Sequence, residues 1–222
     1  FLCGADREVR MINKRKGGTI FLSGGLLLLV TVLFLTGYNL YDEYRAGATA
    51  NHVLEVLQQQ ASDATSDDKR IPENSWSNQA ELPDYILNPD MEMPTEGIDD
   101  NDYIGILEIP TLKLSLPVMS EWSYLKLKAA PCRYSGSAYT GNLTIAAHNY
   151  RTHFGLIKSL MTGDRVTFID IKGRRFYYEV AAVEVLEPTA IKDMISKEWD
   201  LTLFTCTLSG QTRVAVRCLK IT

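Results

Sequence analysis

The segment LTLFTCTLSGQTRVAVRC, Leu201 to Cys218, reads as two β-strands joined through Ser209-Gly210. β-Branched and apolar residues dominate both arms, and glycine supplies the backbone freedom a tight return needs. Core filling explains neither a lone thiol ending the first arm nor two guanidinium groups on the second. Side chains alternate across a strand, so Arg213, Ala215 and Arg217 share one face and Val214, Val216 and Cys218 the other. A hairpin turning through Thr207 to Thr212 sets Arg213 almost opposite Cys206. The plainer explanation of the arginines is a solvated edge strand whose charges discourage further pairing.

Working outward, similar short runs recur from Asp102 onward: YIGILEIP ending at Pro110, LSLPVM at Leu114, NLTIAAH at Asn142, DRVTFIDI at Asp164 and RRFYYEVAAVEVL at Arg174. Turn signals at Gly136, Gly141, Gly163, Gly173 and Gly210 separate them. Seven to eight strands over this length, with little room for helix, predict a mainly β domain, closed as a barrel or stacked as a sandwich. Short helical pieces are expected around 123–128, 152–161 and 189–196.

The N-terminal part differs. Thr19 to Tyr38, TIFLSGGLLLLVTVLFLTGY, carries no charge and as a helix is long enough to cross the roughly 30 Å of a bilayer core. Arg7, Arg10, Lys14, Arg15 and Lys16 precede it and Asp42 and Glu43 follow, so the positive-inside rule places residues 1–18 in the cytoplasm, 19–41 in the membrane and the rest outside. A cleavable signal peptide is the alternative, with the small residues of Gly47 to Ala50 as its processing site, although the apolar run exceeds the usual length. Met11 before a basic stretch reads as a natural start. Residues 42–98 are expected to hold a juxtamembrane helix, with Val53, Val56 and Leu57 as apolar positions, and then a polar, proline-punctuated extracellular linker. The folded domain is expected at 99–222. A net charge of −4 gives no footprint for nucleic acid.

Of four cysteines, Cys3 falls on the cytoplasmic side, which leaves Cys132, Cys206 and Cys218 outside. An odd number of extracellular cysteines leaves at least one free thiol, and Cys132 and Cys218 read either as small buried residues or as a disulfide. Cys206, ending a strand, is the candidate nucleophile, and a thiol at neutral pH needs a neighbouring cation or base. His148, ending the apolar run Leu143 to Ala147, is the candidate base. Its plainer explanation is an exposed strand-end histidine. Arg213 is the candidate oxyanion donor.

TLFTC at Thr202 to Cys206, with an arginine on the following strand, resembles the sortase signature. IAAHNY at Ile145 to Tyr150 is similar to the sortase histidine segment, with Ala147 where glycine is more usual, and DYIGILEIPTLKLSLPV at Asp102 to Val118 resembles the first two strands of the sortase barrel. The blocks stand in the family's order. The resemblance implies a closed sortase-like β-barrel with short helices, preceded by the transmembrane helix and linker. It implies a membrane-anchored cysteine transpeptidase of a Gram-positive-type bacterium, single-pass in the cell membrane, that cleaves a C-terminal sorting motif of secreted proteins. Cys206 would form the thioacyl intermediate, His148 would act as acid and then base, and Arg213 would hold the substrate carbonyl, with Thr205 and Arg217 assigned to substrate binding. The acceptor amine would come from a cell-wall precursor or a pilin-type protein. No metal or other cofactor is required, and Asp99, Asp100 and Asp102 read as solubilising charges.

Two other readings remain open on sequence. A cysteine hydrolase would use the same three residues and release its acyl group to water. A non-catalytic, surface-anchored β module would use the thiol to hold a metal or tether a partner, although His148, His153 and Cys206 lack ligand spacing of the usual close kind.

Overall fold

The structure, a computed structural model, describes residues 5–67 and 82–221. It divides into two units, Phe1–Asp42 and Glu43–Thr222. The first consists of the opening part of helix α1 (Ala5–Asp67). Within Phe21–Gln59 this helix is long and apolar enough to cross a membrane. Phe21, Leu22, Leu27, Leu28 and Phe34 are each more than two-thirds exposed, a surface suited to lipid rather than water.

In the second unit α1 continues to Asp67, followed by α2 (Asp84–Leu87), β1 (Glu96–Ile98), β2 (Asn101–Ile109), β3 (Leu114–Met119), β4 (Cys132–Ser135) and β5 (Leu143–Ala146). Then come β6 (Arg165–Asp170), β7 (Arg175–Leu186), α3 (Ile191–Met194), β8 (Leu201–Cys206) and β9 (Arg213–Lys220). The strands form one sheet in the order β1-β2-β3-β4-β5-β8-β9-β7-β6, and pairing of β2 with β6 closes the last eight into a barrel. All pairings are antiparallel except β3 with β4 and β5 with β8.

Seven strands coincide with the apolar runs read from sequence, and single helical turns fall inside all three expected segments. β1 and β4 were not expected. Each is three or four residues long, and β4, with Arg133 and Ser135 between Pro131 and Gly136, carries too little alternation to register.

Closure depends on Gly105. The register of β2 against β3 shifts between Tyr103 and Gly105, and Gly105 has φ +153°. A side-chain carbon there would stand 2.0 Å from the Ile169 carbonyl oxygen, so only glycine lets β6 approach. Alternate residues of the strands fill the interior, among them Leu107, Leu143, Ile145, Phe168, Phe176, Leu203 and Val216.

The stretch expected as juxtamembrane helix and linker does more than connect. Ala46, Ala50, Val53 and Leu57 recur at helical spacing and are all buried. Ala50 belongs to the main core, while Val53 and Leu57 pack with Ile98, Tyr103, Ile106 and Met119 on a second cluster. Further on, Met93 joins the main core and Tyr85 stacks on Tyr139 with ring centroids 4.9 Å apart. The compact unit therefore starts near Glu43 rather than Asp99. The expected polar linker, 61–80, lies largely outside the described residues.

A chain beginning at Asp99 lacks Val53, Leu57 and Met93. Each large buried apolar side chain contributes roughly 1.5–3 kcal/mol, so the truncation should cost about 5 kcal/mol or more, comparable with the stability of a whole domain. Thermal unfolding beside a chain beginning at Asp42 measures this. Equal midpoints would return residues 42–98 to the role of a passive linker.

Candidate active site

Three of the residues singled out in sequence, His148, Cys206 and Arg213, sit at or just past strand ends at one edge of the barrel. β5 and β8 run parallel with Ala146 beside Phe204, and the Ala147 N–H donates to the Phe204 carbonyl at 3.1 Å. Two residues beyond that pair come His148, just past the end of β5, and Cys206, the last residue of β8. Across the hairpin Cys206 pairs directly with Arg213. Thiol, imidazole and guanidinium thus belong to three neighbouring strand ends, and all three residues are half-buried.

Three free cysteines are described, and their environments differ. Cys132 and Cys218 are fully buried and unbridged, and burial pushes each thiol up to about 12. Neither can supply thiolate at neutral pH. Cys206 alone of the three has solvent access.

Arg213 folds back on its turn. One Nη donates to the carbonyls of Gly210 and Thr212, both at 3.1 Å, and its Nε and other Nη make no hydrogen bond among the described residues. The residue itself pairs with Cys206 across the hairpin.

Thr205 and Arg217, expected to bind substrate, are engaged elsewhere. The Thr205 hydroxyl is buried and donates to the Ala147 carbonyl at 2.8 Å, linking β8 to the residue before His148. Arg217 is 2% exposed on β9, which lies between β8 and β7, so it is not on a solvated edge. Its guanidinium donates to Glu184 (3.0 Å), the Thr202 hydroxyl (3.1 Å) and the Asp193 carbonyl (2.8 Å). Both residues hold the frame. Arg217 fastens the 187–200 connection and its α3 onto the barrel wall.

That wall was missed in sequence. Ala146, Phe204 and Ala215 share the outer face with Cys206 and Arg213 and cluster with Met194, Tyr134, Leu127 and Leu186. Tyr134 stands edge-on to Phe204 at 5.1 Å, and Trp122 lies 5.2 Å from Tyr134. The available signal was that β8 and β9 carry apolar residues on both faces, which implies a covered outer face. The result is a covered apolar cluster on the outer face of β5, β8 and β9, with Ala146, Phe204, Ala215 and Met194 buried and Tyr134 and Trp122 at its margin. Among the described residues, no three His, Cys, Asp or Glu side chains gather as a metal site.

Known proteins resemble this chain in sequence and fold. The Sortase domain family profile matches residues 107–221. Sortase A of Bacillus anthracis is 26% identical over 203 residues, spanning 88% of this chain and 89% of that protein. Sortase C of Clostridium perfringens, solved with the C-terminal cell wall sorting motif, superposes with TM-score 0.51 at 23% identity, over 74% of this chain and 98% of that one. Sortase A from Corynebacterium diphtheriae gives TM-score 0.50 at 22% identity, over 82% and 92%. At these identities the two structures establish the fold.

His153, five residues beyond His148, is fully buried, and neither ring nitrogen has a hydrogen-bond partner. Burial, aided by His148 and opposed by a weak pull from the Ala46 backbone, lowers it from 6.5 to about 4. Above pH 6.5 the ring is neutral folded or unfolded. As pH falls from 6.5 to 4 the unfolded chain takes up a proton the folded chain refuses, so stability should drop by about 3 kcal/mol. Denaturant unfolding between pH 7 and 4 should show this decline, and His153→Phe should remove it. An unchanged slope in the variant would assign the acid sensitivity elsewhere.

Proposed function

The chain belongs to the sortase family, and from that premise we propose that it is a membrane-anchored transpeptidase whose thiol is Cys206. Membership carries transpeptidase chemistry in general, and α1 contains a candidate span. The observation that supports the residue assignment is the pairing of Cys206 with Arg213 across the hairpin, with His148 at the end of the parallel neighbour.

In this reading an extended sorting peptide from a secreted protein lies along the barrel edge at Cys206, beside the partly exposed rings of Trp122 and Tyr134. The Cys206 thiolate attacks the carbonyl carbon before the scissile bond. The developing oxyanion receives hydrogen bonds from the unengaged donors of Arg213. The C–N bond breaks, the departing amine takes a proton from His148, and a thioester on Cys206 remains. An amine of a cell-wall precursor or another surface protein then attacks the thioester, His148 accepts its proton, and the thiolate is restored. The basic residues before the span and the acidic residues after it support an outward-facing catalytic unit.

Peptides from candidate secreted substrates, incubated with the chain with and without an amine acceptor, test the reading. Intact-mass detection of an acyl group on Cys206, discharged faster by the amine than by water, supports transfer. Discharge indifferent to the amine would make the protein a hydrolase, and absence of any adduct would leave it a non-catalytic module. Cys206→Ala should abolish the adduct and keep the fold.

The two arginines should separate in the same assay. Losing an oxyanion donor costs about 10²–10³ in rate, so Arg213→Ala should fall by that much. Arg213→Lys should recover little, because lysine lacks the planar fork. Arg217→Ala should instead lower the melting temperature, since it strips buried partners from Thr202 and the Asp193 carbonyl. The reverse order of activities would make Arg217 the oxyanion donor.

A further inference from the structure

The histidine segment does not stand alone. Residues 148–155 curl into a compact turn in which the Phe154 N–H donates to the His148 carbonyl at 3.2 Å. The His153 and Gly155 N–H groups both donate to the Tyr150 carbonyl, at 3.0 and 2.7 Å. A side-chain carbon at Gly155 would meet that carbonyl oxygen at 2.7 Å, so the curl is as tight as the backbone allows. The rings of His148, Tyr150 and His153 follow one another with centroids 5.0 and 5.6 Å apart. A shift anywhere in this turn therefore reaches the His148 ring.

The Arg151 N–H is taken from outside the turn. It donates to Oε1 of Glu43 at 2.7 Å, and the Thr152 hydroxyl reaches the Glu43 carbonyl at 3.5 Å. One helical turn on, Gly47 packs so closely on Thr152 that an added side-chain carbon would lie 3.1 Å from its methyl group. Ala46 and Ala50, on the same side of α1, are 1% and 2% exposed. Small residues thus bring the helix against the turn, and one carboxylate fastens it.

We propose that Glu43 is a positioning residue for catalysis: through the Arg151 backbone it fixes the turn that carries His148, and so sets that imidazole relative to Cys206. The assignment rests on the reading of His148 as acid and base. A carboxylate accepting a backbone N–H makes a short, charge-assisted bond, stiffer than a neutral side chain would give. Supporting residues of this kind hold reacting groups to the fraction of an ångström that proton transfer needs. Glu43 follows the apolar run by a few residues. The histidine turn is therefore tied to the part of the folded unit nearest in sequence to the anchor, and shortening the chain beyond Glu43 removes a working part.

The chain has three histidines, so the full-length protein labelled with ¹³C-histidine in detergent micelles gives three ring signals, assignable by substitution. Glu43→Ala should shift or broaden the His148 signal while leaving that of exposed His52 in place. It should also slow alkylation of Cys206 by iodoacetamide roughly tenfold, towards the rate of His148→Ala. Glu43→Gln keeps an oxygen acceptor without the charge and should fall between the unmodified chain and Glu43→Ala in both the signal and the rate. A purely structural role would lower the melting temperature without changing the alkylation rate of the folded chain. An unmoved His148 signal or an unchanged rate in Glu43→Ala overturns the assignment, as does a Gln variant that behaves like Ala. Should His148→Ala itself alkylate like the unmodified chain, the reading of His148 falls and the role of Glu43 with it. Should His148→Ala slow the reaction and Glu43→Ala not, only the role of Glu43 falls.

Discussion

The site depends on β5 and β8 being parallel. In a barrel paired almost throughout in antiparallel fashion, neighbouring strands end at opposite edges, and residues that finish them are held apart by a strand's length. Parallel pairing of Leu143–Ala146 with Leu201–Phe204 makes both strands finish at the same edge, so His148 and Cys206, 58 positions apart in sequence, both follow from strand ends at that edge. Parallel neighbours need a long crossover between them, and here it consists of β6, β7 and the α3 connection, which also complete the barrel. The Thr205 hydroxyl on the Ala147 carbonyl fixes the register where the two strands part.

Once the two ends adjoin, the remaining need is to keep each from moving independently. β8 is held by its antiparallel partner β9, closed by the Thr207–Thr212 backbone bond at 3.0 Å. The turn after β5 is held by Phe154 in the main core and by α1, whose Gly47 packs on Thr152 and whose Glu43 takes the Arg151 N–H, while Val53 and Leu57 further along α1 pack on the second cluster. The same helix closes the outer side of β2 and β3 through Tyr103, Ile106 and Met119, so barrel stability and the placement of the histidine turn share one support.

The barrel strands were legible because burial on one face writes alternation into the sequence, as in Leu143-Thr-Ile and Phe176-Tyr-Tyr-Glu-Val. Cys206, His148 and Arg213 could be singled out as candidates because their positions at strand ends leave them without a packing reason. The role of residues 42–98 was not. Its apolar stripe starts at Ala46, and alanine and glycine carry little hydrophobic signal even where close approach is their purpose. The register Ala46, Ala50, Val53, Leu57 becomes visible only when the small residues are counted as part of the contact. Likewise Tyr85 and Met93, scattered among prolines and acidic residues, gain meaning from the barrel surface they cover.

Arg213 and Arg217 illustrate where strand periodicity stops informing. Both face outward on β9, and alternation gives them the same environment. What separates them is coverage: Glu184, Thr202 and the Asp193 carbonyl of α3 occupy the donors of Arg217, whereas Arg213 lies beside the open turn. The TLFTC segment shows the complementary case, in which alternation does all the sorting. Adjacent side chains on a strand must point to opposite faces, so Thr205 enters the barrel wall to hold the Ala147 carbonyl while Cys206 shares the outer face with Phe204. A slip of one residue would bury the thiol and expose the hydroxyl. The antiparallel pairing of Leu201 with Cys218 through to Cys206 with Arg213, six consecutive pairs without a bulge, leaves no room for that slip.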